Sequence, residues 1–144
     1  MLNSWLTWAL LSALFAGLTA ILAKIGVADI NSHLATAIRT TVVLVFTWAI
    51  ALSLVPMASV AAISRHTWLM LGLSGVATGL SWLCYFRALQ LGEVSRVAPI
   101  DKLSVVFAIV LAAVILRERL NWQHWLGGSL IVAGALVLAW KPAV

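Results

Sequence analysis

Residues 5–23, WLTWALLSALFAGLTAILA, form a stretch without a single charged side chain. A helix rises about 1.5 Å per residue, so this stretch is long enough to cross a hydrocarbon core of about 30 Å. The residues before it, from Met1 to Ser4, include no basic side chain, so we expect a retained helix rather than a cleaved signal peptide. The stretch therefore predicts a segment that lies within a lipid bilayer.

Four further apolar runs follow along the chain. The predicted spans are residues 5–23, 34–55, 67–86, 97–116 and 122–140. Hydrophobic residues make up 64% of the 144 residues and charged residues 9%, whereas a soluble domain has about half and about a quarter. The predicted fold class is therefore an all-α integral membrane protein with five transmembrane helices. Residues 1–144 are expected to be one domain, with no room for a soluble catalytic domain.

Aromatic and polar residues support the predicted boundaries. Pro56 stops the second span, and polar residues between 89 and 97 predict a short loop. Short loops favour an antiparallel up-down bundle. Indole rings prefer the headgroup region, and most of the tryptophans lie near predicted helix ends: Trp5, Trp8, Trp68, Trp122, Trp125 and Trp140.

The basic residues indicate contact with lipid rather than with nucleic acid. The formal charge is +5, but the lysines and arginines are scattered singly at helix ends, which is typical of headgroup contacts. One predicted face carries Arg65, Arg117 and Arg119. The other carries Lys24, Arg87, Arg96 and Lys141, with Arg39 and Lys102 just inside it. This is a mild bias toward an inward C-terminus under the positive-inside rule, so single and dual topology both stay open.

The odd number of spans has a consequence for assembly. Many transporters consist of two inverted repeats, with the solute bound where the repeats meet. Five spans match one such repeat. We therefore expect a homodimer, with an antiparallel arrangement among the options, or a pairing with a related half-transporter. The expected surroundings are the lipid bilayer of the cell (inner) membrane, crossed several times by the chain.

The fourth span carries the most informative polar residues. Asp101, Ser104, Ala108 and Ala112 recur on one face of a helix, and Asp101 is the only acidic residue inside a predicted span. Such a stripe fits close helix packing with an interfacial Asp–Arg pair, or a path for substrate or protons. Basic neighbours favour an ionised carboxylate, which makes a salt-bridged gate the better functional interpretation than a proton carrier.

Other residues inside or near the spans are candidates for a solute path. Four basic side chains either extend to the headgroups or attract an anion: Lys24, Arg39, Arg87 and Lys102. Three aromatic side chains lie deeper in the second and third spans, where they either pack or line a solute cavity: Trp48, Trp82 and Tyr85.

Glycines in two spans predict close helix contacts, within the bundle or between protomers. The third span contains Gly72, Gly75 and Gly79, and the fifth contains Gly127, Gly128 and Gly134.

The sequence gives little support for an enzyme. Gly72-Leu-Ser74-Gly75 resembles the serine motif of rhomboid proteases, and His124 is a candidate base. Counted along their helices, however, Ser74 lies about 10 Å and His124 about 3 Å below the same face, which is poor for a nucleophile–base hydrogen bond. His33, His66 and His124 lack metal-ligand spacing, and no phosphate-binding glycine loop is present. We therefore expect neither a metal nor another cofactor.

Three motifs in the second half of the chain resemble the EamA domain of the drug/metabolite transporter superfamily. They are the run from Tyr85 to Gly92, the run from Val97 to Phe107, and Glu118-Arg119-Leu120 followed by Trp125-Leu-Gly127 and Ala133-Gly134. The similarity covers about 70 residues. Two positions depart from the family's pattern, because Ser104-Val105 stands where a second proline is frequent and Arg117 stands where a glycine precedes the glutamate.

The resemblance implies a five-helix half of a ten-helix inverted-repeat transporter. Its expected activity is export of a small solute, metabolite or drug by alternating access as a dimer. The second hypothesis is a non-transporting subunit, such as an accessory or lipid-carrier translocation component of a membrane complex. The family resemblance implies no particular substrate.

Overall fold

The computed structural model describes residues 4–140, and Lys141 of the topology argument lies outside them. Every regular element in this part of the chain is a helix. The helices are α1 (Trp5–Gly26), α2 (Ser32–Leu54), α3 (Ala58–Ala61), α4 (Arg65–Leu91), α5 (Val94–Asp101), α6 (Ser104–Ile115) and α7 (Trp122–Ala139).

Five stretches are long and apolar enough to cross a membrane. They are α1, α2, α4, α7 and the continuous segment Val94–Ile115, which comprises α5 and α6. Large side chains such as Phe15 and Leu14 are more than half exposed, which places apolar surface where lipid would lie. The predicted fold class, an all-α membrane protein with five spanning helices, is confirmed.

The loop predicted between residues 89 and 97 is shorter in the structure. Helix α4 continues to Leu91, and α5 already begins at Val94, so only two residues separate them. The Glu93 carbonyl accepts from the amides of Arg96 and Val97, and the two side chains of Glu93 and Arg96 form an ion pair at 3.3 Å. These local contacts start a new helix where polarity alone suggested a longer loop.

The fourth span is interrupted at Lys102 and Leu103. The Lys102 amide donates to the Pro99 carbonyl at 3.1 Å, and the Leu103 amide donates to Ile100 at 3.0 Å. These are bonds three residues apart, so the backbone tightens into a 3₁₀-like turn. The turn occurs although Ser104 does not supply the second proline of the family pattern.

The span before α7 ends in a left-handed turn at Arg117. Its φ is 55°, a conformation that a glycine adopts without steric cost. The next amide, that of Glu118, donates to the Ala112 carbonyl at 3.2 Å and closes the end of α6. This conformation explains why the family pattern has a glycine at this position. In this chain Arg117 adopts it with backbone strain.

The chain forms two compact units, which are described one at a time. The first unit, called the central unit below, comprises residues 23–90 and contains α2 and α4. Its buried side chains include Val27, Leu89 and Phe86, of which Val27 and Leu89 are fully buried. Asn31 caps α2, because its Oδ1 accepts from the amide of His33 at 2.8 Å.

The second unit, called the flanking unit, joins the part of α1 up to residue 22 with the described residues from 91 onward. Within it α5 and α6 both pack against α7, where Gly128 and Ala135 are buried. His124 stabilises the start of α7, since its Nδ1 accepts from the Asn121 amide at 3.0 Å.

The glycines predicted to mediate helix contacts have room for a side chain within the chain, although Gly128 itself is buried. A Cβ atom placed on any of them would meet no neighbouring atom within 4 Å. Close contacts at these glycines, within the bundle or between protomers, stay a prediction. The positions concerned are Gly72, Gly75, Gly79, Gly127, Gly128 and Gly134.

Candidate functional site

Arg39 lies on the buried face of α2. Ser32, Ala35 and Thr36 are the buried residues of this helix, and Arg39 follows them by three to seven positions. Residues at this spacing share one side of a helix. Arg39 therefore continues the face that packs inside the central unit, and it does so in the third turn of a membrane-spanning helix.

Two aromatic rings of α4 hold the Arg39 guanidinium. Its central carbon, Cζ, lies over the Trp82 ring at 4.1 Å from the centroid, and it lies 5.6 Å from the Phe86 centroid. Tyr85, between them in sequence, is half-buried and interacts electrostatically with Arg39. We call Trp82 and Phe86 the aromatic cradle. Of the predicted path residues, the structure thus brings Arg39, Trp82 and Tyr85 together.

The cradle offsets part of the cost of placing this charge inside a span. A basic residue costs about 2.5–3.5 kcal/mol at the centre of a spanning helix, and Arg39 lies nearer to the start of α2. A cation–π contact contributes about 0.5–2 kcal/mol. Within residues 4–140 Arg39 makes no hydrogen bond and no ion pair. Among the described residues, every buried side-chain nitrogen has a hydrogen-bond partner. The Arg39 nitrogens have none, so they are not buried and are open to their surroundings.

A second cluster of polar side chains closes the same end of the central unit. The Gln90 Nε2 group donates to the carbonyls of Val27 at 3.1 Å and Ile30 at 2.7 Å. Arg87 donates to the Gln90 Oε1 atom at 3.1 Å. The Lys24 ammonium donates to the Leu89 carbonyl. We call Lys24, Arg87 and Gln90 the α4-end clamp, because they connect the end of α4 to the segment between α1 and α2.

The clamp changes the interpretation of two predicted path residues. Lys24 and Arg87 are engaged by a carbonyl and by an amide oxygen, so their contacts stabilise the structure of the central unit. Gln90 was not anticipated from the sequence, because its position fell in the predicted loop. The signal by which Gln90 could have been found is a polar amide close to Arg87 at the end of an apolar helix.

A groove of about 390 Å³ runs along another face of α2. Its hydroxyls bond to the helix itself, since Thr36 donates to the Ser32 carbonyl, Thr40 to Thr36 and Thr41 to Ala37. These hydroxyl donors are therefore not directed at a ligand. The lining residues are His33, Thr36, Ala37, Thr40, Thr41, Leu44, Gly79 and Leu83.

The remaining predicted path residues lie elsewhere. Asp101 pairs with its neighbour Lys102 at 3.3 Å, with 33% of the Asp101 side chain and 58% of the Lys102 side chain exposed. The two expectations for Asp101, an interfacial Asp–Arg pair or a path for substrate or protons, both stay predictions. Ser104 is exposed at the first position of α6, and Trp48 is 43% exposed on α2. The interrupted helix separates Asp101 from the stripe that Ser104 begins.

Comparison with known proteins identifies the family. The model of the EamA-like transporter family matches residues 3–140 of the chain. The chain belongs to the EamA-like transporter family. A relative from Sinorhizobium sp, described as an uncharacterized transporter in the cobO 3'region, is 54% identical over 139 residues, which are 96% of this chain and 99% of the relative. The resemblance seen in the sequence is confirmed, and this EamA-like protein is a membrane transporter.

Two further relatives of this EamA-like transporter are more distant. Both are described as a probable 4-amino-4-deoxy-L-arabinose-phosphoundecaprenol flippase subunit ArnE. The one from Pseudomonas fluorescens is 35% identical over 75 residues, or 52% of this chain and 64% of that relative. The one from Salmonella paratyphi B is 32% identical over 74 residues, or 51% of this chain and 67% of that relative. No solved structure matches the chain.

Proposed function

We propose that the chain is one half of an exporter that moves a small solute by alternating access. The observation that carries this proposal is Arg39, a basic side chain on the inward face of a spanning helix, held against Trp82 and open at its N–H groups. Ionisable residues in such places mark substrate or ion paths in membrane proteins. Membership of a transporter family supports the same conclusion.

The second half of the machine would be another five-span unit. Five spans correspond to one repeat of an inverted-repeat transporter, whose solute site forms between two repeats. The proposed partner is an antiparallel copy of this chain, which requires dual topology, or a related half-transporter. The open faces at Gly75 and Gly79 on α4 are compatible with such an interface.

The other predicted path residues have proposed roles of their own. The Asp101–Lys102 pair at the break of the fourth span would act as a salt-bridged gate. Ser104 and Trp48 would contribute to the wall of the path, whereas Lys24 and Arg87 would hold its end in shape through the clamp. Bacterial relatives support placement in the inner membrane. Transport outward from the cell is part of the same proposal.

A lipid-carrier translocation subunit is the second candidate function. The specific observation in its favour is the similarity of about half of this chain to proteins described as subunits of a phosphoundecaprenol-linked sugar flippase. A subunit of that kind would need a different membrane partner and would bind a lipid-linked solute. The Arg39 site is compatible with either function.

Reconstitution of the purified chain tests the first proposal. Proteoliposomes are loaded with a panel of amino acids, nucleobases, organic anions and cationic drugs, and flux is compared with protein-free vesicles. Solute-dependent thermal stabilisation of the purified chain selects candidates for the panel. Saturable flux of one solute class supports the exporter. Absence of flux, with flux appearing only after a second membrane protein is added, supports the subunit.

Orientation and self-association test the paired arrangement. Each terminus is tagged in turn, and the tags are located on one side or both sides of the membrane in cells. Tags on both sides, with a crosslinked dimer, support the antiparallel homodimer. Each terminus found strictly on one side would contradict it.

A further inference from the structure

We infer that Arg39 is the recognition site for an oxyanion, a phosphate or carboxylate group of the transported molecule. The inference names the substrate class of the site described above, and its consequence for flux rests on the proposed function. Three observations carry it. They are the position of the guanidinium, the charge balance of the central unit, and the N–H groups, which donate to no described acceptor.

The position argues against a side chain that merely extends to the headgroups. Phe86 lies five residues and Trp82 nine residues before the end of α4 at Leu91, or about 8 Å and about 14 Å along the helix. The Arg39 Cζ atom is closer to the deeper ring, at 4.1 Å, than to the shallower one, at 5.6 Å. A guanidinium that extended to the membrane surface would show the opposite order.

The central unit carries an excess of positive charge. Residues 23–90 contain four basic residues, Lys24, Arg39, Arg65 and Arg87, against the single acidic residue Asp29. The clamp engages Lys24 and Arg87 with neutral oxygen atoms, which satisfies donors without supplying negative charge. An anion that reaches Arg39 would therefore enter a positive region and supply the charge that this unit lacks.

The geometry of the contact leaves the anion-binding edge of the guanidinium available. The Arg39 Cζ atom lies over the Trp82 ring at 4.1 Å from its centroid, which is a cation–π contact. The N–H donors of a guanidinium lie in its plane, where they form a fork that matches two oxygens of a phosphate or carboxylate. Because Arg39 donates to no described acceptor, this fork is available for a ligand. The aromatic cradle thus holds a guanidinium whose donors have no described acceptor.

Binding to the purified chain tests the inference without depending on transport. The chain is placed in nanodiscs of phosphatidylcholine, and its thermal stability is followed as glycerol 3-phosphate, succinate or choline is added. Wild type should be stabilised by the two anions and not by choline. Arg39→Gln should weaken the anion response at least tenfold. Arg65→Gln removes the same charge from an exposed position at the start of α4 and should respond like wild type.

Arg39→Lys is the second variant. It keeps the positive charge, and it serves as the test if Arg39→Gln does not fold. It should bind the anions several-fold more weakly than wild type, because an ammonium lacks the fork. Equal anion responses of wild type, Arg39→Lys and Arg39→Gln would overturn the inference. An equal response of wild type and Arg39→Lys alone would overturn the fork geometry on which it rests.

The lipid content of the nanodisc distinguishes the source of the oxyanion. In one arm glycerol 3-phosphate is added to discs of phosphatidylcholine, and in the other phosphatidic acid replaces part of the lipid. An Arg39-dependent response to the first identifies a water-soluble anion, and a response confined to the second identifies a lipid headgroup. An Arg39-dependent response to neither would overturn the inference.

Flux through proteoliposomes separates failure of the inference from failure of the proposed function. If wild type transports a solute and Arg39→Gln transports it equally well, the oxyanion inference is wrong while the transporter stands. If neither moves any solute but anion binding depends on Arg39, the inference holds and the chain is not a self-sufficient exporter.

Discussion

The central unit and the flanking unit use polar side chains in different ways. In the central unit, Gln90 and Lys24 donate to carbonyls of segments more than sixty residues away along the chain. In the flanking unit, the polar contacts are local: Glu93 pairs with Arg96, Asp101 with Lys102, and His124 with Asn121. Polar groups therefore fix tertiary structure in one unit and local turns in the other.

This difference predicts where single substitutions matter most. A side-chain hydrogen bond between distant segments holds the fold of a unit, and its loss leaves buried or half-buried groups without partners. An ion pair between neighbours on an exposed surface contributes little. Substitutions in the central unit should therefore cost more stability than matched substitutions in the flanking unit.

Leu89→Ala should have the largest effect. Leu89 is fully buried in the central unit, so its truncation leaves a cavity and should cost about 2–5 kcal/mol in the free energy of unfolding. Reversible unfolding by SDS in mixed micelles measures this change. The matched control is Leu91→Ala, because Leu91 is 74% exposed and should lose less than about 1 kcal/mol. Equal losses at both positions would contradict the described core.

Gln90→Glu should have the next largest effect. The carboxylate can still accept from Arg87, but it cannot donate to the Val27 and Ile30 carbonyls. We expect a loss of about 1–3 kcal/mol, measured by the same unfolding experiment. Gln123→Glu changes the same chemical group in the flanking unit, where Gln123 is exposed and only accepts from Asn121. A loss at position 123 as large as at position 90 would refute the clamp.

The two units also differ in how far the sequence predicts them. Five spans follow from hydrophobicity and length, which are local properties, and the structure has five such helices. The extent of α4 was underestimated because the polar run between residues 89 and 97 signalled a loop. Gln90, at the end of this helix, has its amide satisfied by distant carbonyls. Contacts between distant segments are not visible in a local pattern.

The site shows the same limit. The sequence indicated Arg39 and Trp82 as separate candidates, but only the fold of the central unit places the guanidinium over the ring. The sequence also suggested one stripe from Asp101 through Ser104. The tightened turn at Lys102 interrupts it, and hydrogen bonds three residues apart cannot be inferred from a helical repeat.

Arg117→Gly should stabilise the flanking unit slightly. The left-handed conformation at this position costs a side-chain-bearing residue about 1–2 kcal/mol, while glycine loses about 0.4–1 kcal/mol through the entropy of the unfolded chain. The net gain should be about 0.5–1 kcal/mol in unfolding measurements. Arg119→Gly removes the same side chain from the same connection at a residue without positive φ, and it should not stabilise. A loss of stability in Arg117→Gly would show that the arginine side chain has a role of its own.

Asp101→Asn should have the smallest effect on stability, about 0.5 kcal/mol or less. The carboxylate pairs with an adjacent and mostly exposed Lys102 at 3.3 Å, a geometry in which ion pairs contribute little. Its proposed role as a gate predicts a different result for flux, because Asp101→Lys places two positive charges side by side and should block transport without unfolding the protein. Lys102→Gln is the matched control that removes the partner and keeps Asp101. Unchanged flux in Asp101→Lys would exclude the gate. A stability loss above about 2 kcal/mol in Asp101→Asn would show that the pair is buried in the assembled transporter. The flanking unit would then also depend on a polar contact for its fold.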